Sequence, residues 1–249
     1  MLAPNPGSPL DNELLRNLPL AQFNILLRPY LTTVSLAQGL LLIEPGTEFD
    51  RVYFPHAGMI SLLVLLRDGK SIETATVGRE GVVGGMAGLG LYKSLVRAVV
   101  QLPMGASTIP AAQFRKAAAN SAAISNLCIQ YNEVLLSQAR VTAACNALHP
   151  IEARFCRWLL QSADRAASDT LALTQEFLAE MLGVRRTSVT EIASKLQRTG
   201  VIAYSRGTIE IIDRPALEKL SCECYQTLVE QAAIVTAENR LPSIADPAQ

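Results

Sequence analysis

The chain has 249 residues, of which 49% are apolar and 18% charged, and its 22 basic side chains balance 22 acidic ones. That apolar content excludes a disordered chain, and no apolar run approaches the roughly 20 residues of a membrane-spanning helix. A neutral total gives no general electrostatic reason to expect a nucleic-acid partner, so such a function has to rest on a local patch.

Residues 1–10 carry three prolines and neither a basic nor an apolar signal region, so they read as a disordered tail, and the chain is expected in the cytoplasm. Leu14, Leu15 and Leu18, then Phe23, Leu26 and Leu27, fall at helical spacing around Pro19 and Pro29, which predicts two short helices. From Leu31 to Thr108 the period shortens. Leu40–Ile43, Val52–Phe54, Met59–Leu66, Ser71–Val77 and Val96–Leu102 alternate with turn signals such as Pro45-Gly46 and Asp68-Gly69-Lys70, the pattern of a β-sandwich or barrel. Five glycines between Gly81 and Gly90 read as a flexible corner.

Beyond Pro110 the pattern is helical for nearly forty residues. Ile124, Leu127, Tyr131, Val134, Gln138, Val141, Cys145 and Leu148 follow one another at steps of three and four, which predicts a dimer seam, with a long core helix as the alternative. His149-Pro150 breaks the helix and marks a boundary. A helix from Ile151 to about Ala163 follows, then a polar linker, Asp164 to Thr170.

The most informative stretch runs from Leu173 to Ile192. Thr174 is placed to cap a short helix that ends at Gly183, and Val189, Ile192 and Leu196 give the next helix a buried face. Two short amphipathic helices across a glycine turn make a helix-turn-helix. The second helix opens with Arg185, Arg186, Thr187, Ser188, Thr190 and Glu191, side-chain types that pair with bases or phosphates. Residues 185–206 hold five basic side chains (Arg185, Arg186, Lys195, Arg198, Arg206) against the single acidic Glu191. Val201–Tyr204 and Thr208–Ile212, joined by Ser205-Arg206-Gly207, read as the hairpin of a wing, with Arg206 at its tip.

The five cysteines (Cys128, Cys145, Cys156, Cys222, Cys224) show no CxxC spacing, so neither a disulfide framework nor a metal site is expected. Cys222 and Cys224, two apart on an expected helix, should point to different faces.

A β-rich first half, a long helix and a winged helix carrying Leu-Gly-Val-Arg-Arg-Thr-Ser-Val together resemble the Crp/Fnr family of bacterial transcription regulators over nearly the whole chain. The resemblance implies an α+β protein: a jelly-roll sensor domain like a cyclic-nucleotide-binding domain with leading helices over 11–110, a dimerisation helix over 111–149, and a winged helix-turn-helix with a C-terminal helix over 150–239, before a tail at 240–249. It implies a homodimer on a palindromic site in double-stranded DNA, with RNA polymerase a further partner if it activates, and no catalysis. By position the base-reading residues would be Arg186, Thr187, Thr190 and Glu191. Many members have Glu where this chain has Thr187 and Arg where it has Glu191, so a different operator is expected. Thr174, Gln175, Arg185, Ser188, Lys195 and Arg206 would contact phosphates or position the helix.

The effector region would comprise Gly84, Gly85, Tyr92, Lys93 and Ser94. The glutamate and arginine that hold a cyclic nucleotide in other members are missing there, so that ligand is not expected. An iron–sulfur cluster of the family's N-terminal type is not expected either, the first cysteine being Cys128. His56, the sensor half's lone histidine, reads as a surface or hydrogen-bonded residue and not as a haem ligand. The alternatives are a nonspecific architectural DNA-binding protein and a cupin-like small-molecule-binding protein, the latter disfavoured by having only two histidines.

Overall fold

A computed structural model describes residues 7–238; the first six residues of the tail expected at 1–10, and all of the tail expected at 240–249, lie outside the described residues. Residues 8–11 are not tail. Ser8 N donates to Asp11 Oδ2 at 2.7 Å and closes the turn Pro9–Asp11. Asn12 then caps α1 (Glu13–Arg16), and its buried amide donates to Pro55 O and Gly81 O, each at 2.9 Å. α2 (Leu20–Gln22) continues through helical turns to Tyr30. Pro29 does not break it, because it sits in the first turn of the segment Arg28–Tyr30, where a missing N–H costs nothing.

The β-roll comprises β1 (Thr32–Leu36), β2 (Leu41–Ile43), β3 (Arg51–Pro55), β4 (Met59–Leu65), β5 (Ser71–Val77), β6 (Arg97–Leu102) and β7 (Met104–Pro110). Two antiparallel sheets, β1-β7-β3 and β2-β6-β4-β5, enclose one core. The sequence did not single out β1 and β7. β7 is built of Gly105, Ala106, Ser107 and Thr108, all buried, small and polar residues that leave no apolar alternation to read. The glycine corner contains a helical turn, Gly85–Leu89, between left-handed Gly84 and Gly90.

α3 (Ala111–Ala119) adds Phe114 to the core, its ring edge-on to Phe54 at 5.8 Å. The single helix expected over 111–149 is interrupted: Ser121 accepts from Ile124 N and starts α4 (Ala122–Leu148) afresh. The predicted dimer seam is also corrected. Ile124, Leu127, Tyr131 and Val134 pack into the chain's own β-roll core, Gln138 Oε1 accepts from Thr76 N at 3.2 Å, and Cys145 is fully buried, with Val141 packed beside it. Ile124, Leu127, Tyr131, Val134, Gln138 and Cys145 are thus covered within one chain and cannot also meet a partner, while Val141 is half-buried. Leu148, at the end of the series, is exposed. A heptad pattern specifies a buried stripe but not what buries it.

After Pro150 come α5 (Ile151–Ala166), β8 (Thr170–Ala172), α6 (Gln175–Leu182), α7 (Arg186–Arg198), β9 (Ile202–Ser205), β10 (Thr208–Ile211), α8 (Arg214–Leu220) and α9 (Cys224–Glu238). β8, β10 and β9 form the wing sheet in that order. This half docks on the outer face of the four-stranded sheet: Met59, Leu63 and Leu102 share a core with Phe155, Trp158 and Leu159. β4 is therefore covered on both faces, which is why it reads as a nearly continuous apolar run. Burying side chains of this size contributes roughly 1.5–3 kcal/mol each. One polar link lies inside the joint, where Glu73 accepts from Ser61 Oγ at 2.5 Å and from Trp158 Nε1 at 2.8 Å.

Candidate nucleic-acid interface and effector cavity

The helix-turn-helix is set by its ends. Thr174 Oγ1 accepts from Phe177 N at 3.3 Å to start α6, and Gly183, at φ +65°, ends it with Val184 N returning to Ala179 O at 2.9 Å. That left-handed residue turns the chain into α7 within three positions. Leu178, Met181 and Leu182 of α6 and Val189, Ala193 and Leu196 of α7 bury the inner faces. Thr187, Thr190, Glu191, Ser194 and Arg198 consequently line one shallow concave surface on the outside of α7.

The residues expected to read bases are all exposed there, but two have partners. Arg186 Nη1 lies 2.7 Å from Glu176 Oε1. The Thr190 hydroxyl donates to Gln175 Oε1 at 2.7 Å, tying the two helices together. Among the positioning residues, Arg185 is exposed and Ser188 half-buried, while Lys195 pairs with Glu152 of α5 at 2.6 Å. Arg206 and Gly207 form a two-residue turn with positive φ at both (50° and 77°) between the paired Ser205 and Thr208. That is the geometry which matches strand twist, and it projects Arg206 from the wing.

A second concavity, of about 410 Å³, lies between the β-roll and α4. Gly84, Gly85 and Ser94 line it as expected, whereas Tyr92 and Lys93 do not. Tyr92 is 57% exposed, with the Arg115 guanidinium 4.5 Å over its ring, and Lys93 is exposed beside Glu48 on a short β-bridge. Ser94 spends its hydroxyl on Val96 O at 2.7 Å. The sequence reading missed most of the wall, which includes Phe49, Leu62, Val82, Leu95, Leu135 and Leu136, and no charged side chain lines it. Tyr131 also contributes to the wall; its Oη is buried without a hydrogen-bond partner, and burial pushes its ionisation well above the usual range. It abuts Gly81, where a Cβ would lie 1.9 Å from that oxygen.

His56 is buried, with Nε2 2.9 Å from Ser107 Oγ. The cysteines depart from expectation. Cys222-Glu223-Cys224 spans the turn between α8 and α9 and is not one helix, so both thiols turn the same way. They meet Cys145 and His149 at the end of α4, and the four possible ligand atoms lie within 4.8 Å of one another. The signal available in the sequence was Cys145-x3-His149, one helical turn apart. The hydrogen bond from the Cys222 thiol pulls the Cys145 ionisation below the usual thiol range, since a thiolate at Cys145 accepts the neighbour's S–H.

Residues 33–121 match the family model of the cyclic nucleotide-binding domain, and residues 153–220 that of the Crp-like helix-turn-helix domain. No curated protein matches in sequence. Among solved structures, the chain is similar to a transcriptional regulator of the Crp/Fnr family from Eubacterium rectale, with TM-score 0.66, 20% identity, and 84% of this chain and 98% of that one covered. It is similar to FixK2 from Bradyrhizobium japonicum, with TM-score 0.63, 18% identity and coverages of 77% and 98%. A Crp/Fnr-family transcriptional regulator from Thermus thermophilus gives TM-score 0.60, 22% identity and coverages of 76% and 98%.

Proposed function

Because the chain belongs to the Crp/Fnr family by the two domains it matches in succession, we propose that it is a homodimeric, sequence-specific DNA-binding regulator whose β-roll responds to a small apolar effector. The observation that carries the DNA reading is the outer face of α7, where Thr187, Glu191, Ser194 and Arg198 stand exposed on a helix anchored by its other side. Arg186, Thr187, Thr190 and Glu191 would meet base edges, and Arg185 and Arg206 the flanking phosphates. Thr174 and Gln175 act by fixing α6 against α7, and Ser188 and Lys195 by positioning α7. Where the protein activates, RNA polymerase is its further partner.

The wall of the 410 Å³ cavity supports the effector class. Its size suits a small ligand, but a phosphodiester would be buried there with no cation facing it, at a cost of several kcal/mol. An uncharged apolar molecule fits.

The test is selection of bound sequences from a random duplex pool, followed by the variant Arg186→Ala/Thr187→Ala on the selected site. One palindromic motif should emerge, and the variant should lose about 1–3 kcal/mol of discrimination per contacted base pair while folding as before. Enrichment of no motif, with or without apolar effectors, rejects specific recognition in favour of an architectural binder.

A further inference from the structure

We propose that Cys145, His149, Cys222 and Cys224 form a Cys3His site for a single tetrahedral Zn²⁺ ion, which clamps the end of α4 to the start of α9. Cys145 Sγ is 3.5 Å from Cys222 Sγ, and Cys224 Sγ is 3.5 Å from His149 Nδ1. Zn–S bonds of about 2.3 Å and Zn–N bonds of about 2.0–2.1 Å give tetrahedral edges of roughly 3.5–3.8 Å, so these two separations already match one ion, and the remaining ones, all within 4.8 Å, need only a small contraction. A multi-iron cluster would hold its thiolates much farther apart than these do.

Two further features of the surroundings point to a metal. His149 Nε2 lies 3.1 Å from Glu223 Oε1, which leaves Nδ1 facing the cysteines. A carboxylate on the far nitrogen of a ligating histidine is the usual second partner at zinc sites, since it fixes ring and tautomer. Arg154 and Arg157, both buried, lie within electrostatic reach of Cys145; neither makes an ion pair among the described residues, the Glu73 carboxyl acting on Arg157 only at longer range, and although their terminal nitrogens bond to Leu182 O and Gln161 Oε1, the Nε of each has no hydrogen-bond partner. Three thiolates and one Zn²⁺ carry a net negative charge, which is the counter-charge that buried guanidinium groups need. Soft sulfur ligands with imidazole select zinc over magnesium or calcium, and four protein ligands leave no open position for catalysis.

The site would join residues more than 70 positions apart across the His149-Pro150 hinge, and so fix how the DNA-binding half leaves the long helix. The test needs no DNA, so it stands or falls separately from the function proposed above. Untagged full-length protein, purified under reducing conditions with added zinc, should contain roughly one Zn²⁺ per chain. Replacement by Co²⁺ should give the visible d–d bands of a tetrahedral ion together with thiolate charge transfer. Cys224→Ser should lose both, and Cys128→Ser, in the β-roll core, should keep them. Glu223→Gln, at an exposed side chain that folding does not need, should weaken zinc binding about 10–100-fold. Absence of stoichiometric zinc from the wild-type protein would overturn the proposal. So would a Co²⁺ spectrum unchanged in Cys224→Ser, or an intact mass short by the two hydrogens of a Cys145–Cys222 disulfide that forms equally with zinc present.

Discussion

At the scale of single residues, Arg206 and Glu73 show how backbone and burial set function. Arg206 adopts a left-handed conformation at the wing tip, which asparagine tolerates better than most residues. Arg206→Asn should keep the hairpin and remove one charge. Binding should then weaken alike at all DNA sequences, and the slope of log K against log salt should fall by about one per subunit, read from titrations at several salt concentrations. Sequence-dependent weakening would reassign Arg206 to base reading. The Glu73 carboxyl is held above its ordinary range chiefly by burial, against the pull of Ser61, Trp158, Arg157 and Arg165. A raised folded value means that the folded protein holds the proton more tightly than the unfolded chain. The stability linked to this group is therefore whole below the ordinary carboxylate range and is lost as pH rises through the folded value. Glu73→Gln keeps a hydrogen bond from Trp158 and cannot ionise, so its melting temperature should decline less between acid and neutral pH than the wild type's. Parallel melting curves would remove Glu73 from the pH response.

At the scale of elements, α4 is the instructive case. Its heptad of large side chains is used up inside the chain, which leaves Ile129 and Leu136, 55% and 41% exposed and seven residues apart, outside the buried stripe, with Leu136 also at the edge of the cavity wall. Ala143 is exposed one further heptad on. A second copy of α4 would meet this stripe. Light scattering should find a dimer for the wild type and a folded monomer for Ile129→Glu/Leu136→Glu, whereas a glutamate at Val134 should unfold the β-roll. A double variant that remains dimeric places the interface elsewhere. Periodicity revealed the helix and a stripe to be buried, but not that the chain's own β-roll buries it. It could not show the break at Asn120, because Ser121 continues the helical spacing and only its capping bond to Ile124 N marks the restart.

At the scale of the whole molecule, the cavity and the joint between the halves are products of packing. Thermal melting should be unmoved by cyclic AMP or cyclic GMP and raised by an uncharged aromatic such as indole, since a ligand at about 100 times its Kd adds roughly 2.7 kcal/mol of stability. The reverse order would reject the apolar assignment. The basis for that choice is the position of Lys93: three residues of one loop looked alike in sequence, and only folding turned Ser94 inward and left Tyr92 and Lys93 in solvent.

By itself the sequence determined what depends on neighbours along the chain. The cap at Thr174, the left-handed turn at Gly183, the two faces of α7, the wing turn at Arg206-Gly207 and five of the seven β-roll strands all follow from spacings of a few residues, where local sterics and hydrogen bonds decide the conformation. Only the tertiary structure decided which core receives the stripe on α4, what chemistry lines the cavity, and that Cys145 and His149 meet Cys222 and Cys224. Each of these depends on contacts between distant segments, and a turn in place of a helix at Glu223 is enough to bring together two thiols that helical periodicity would have kept apart.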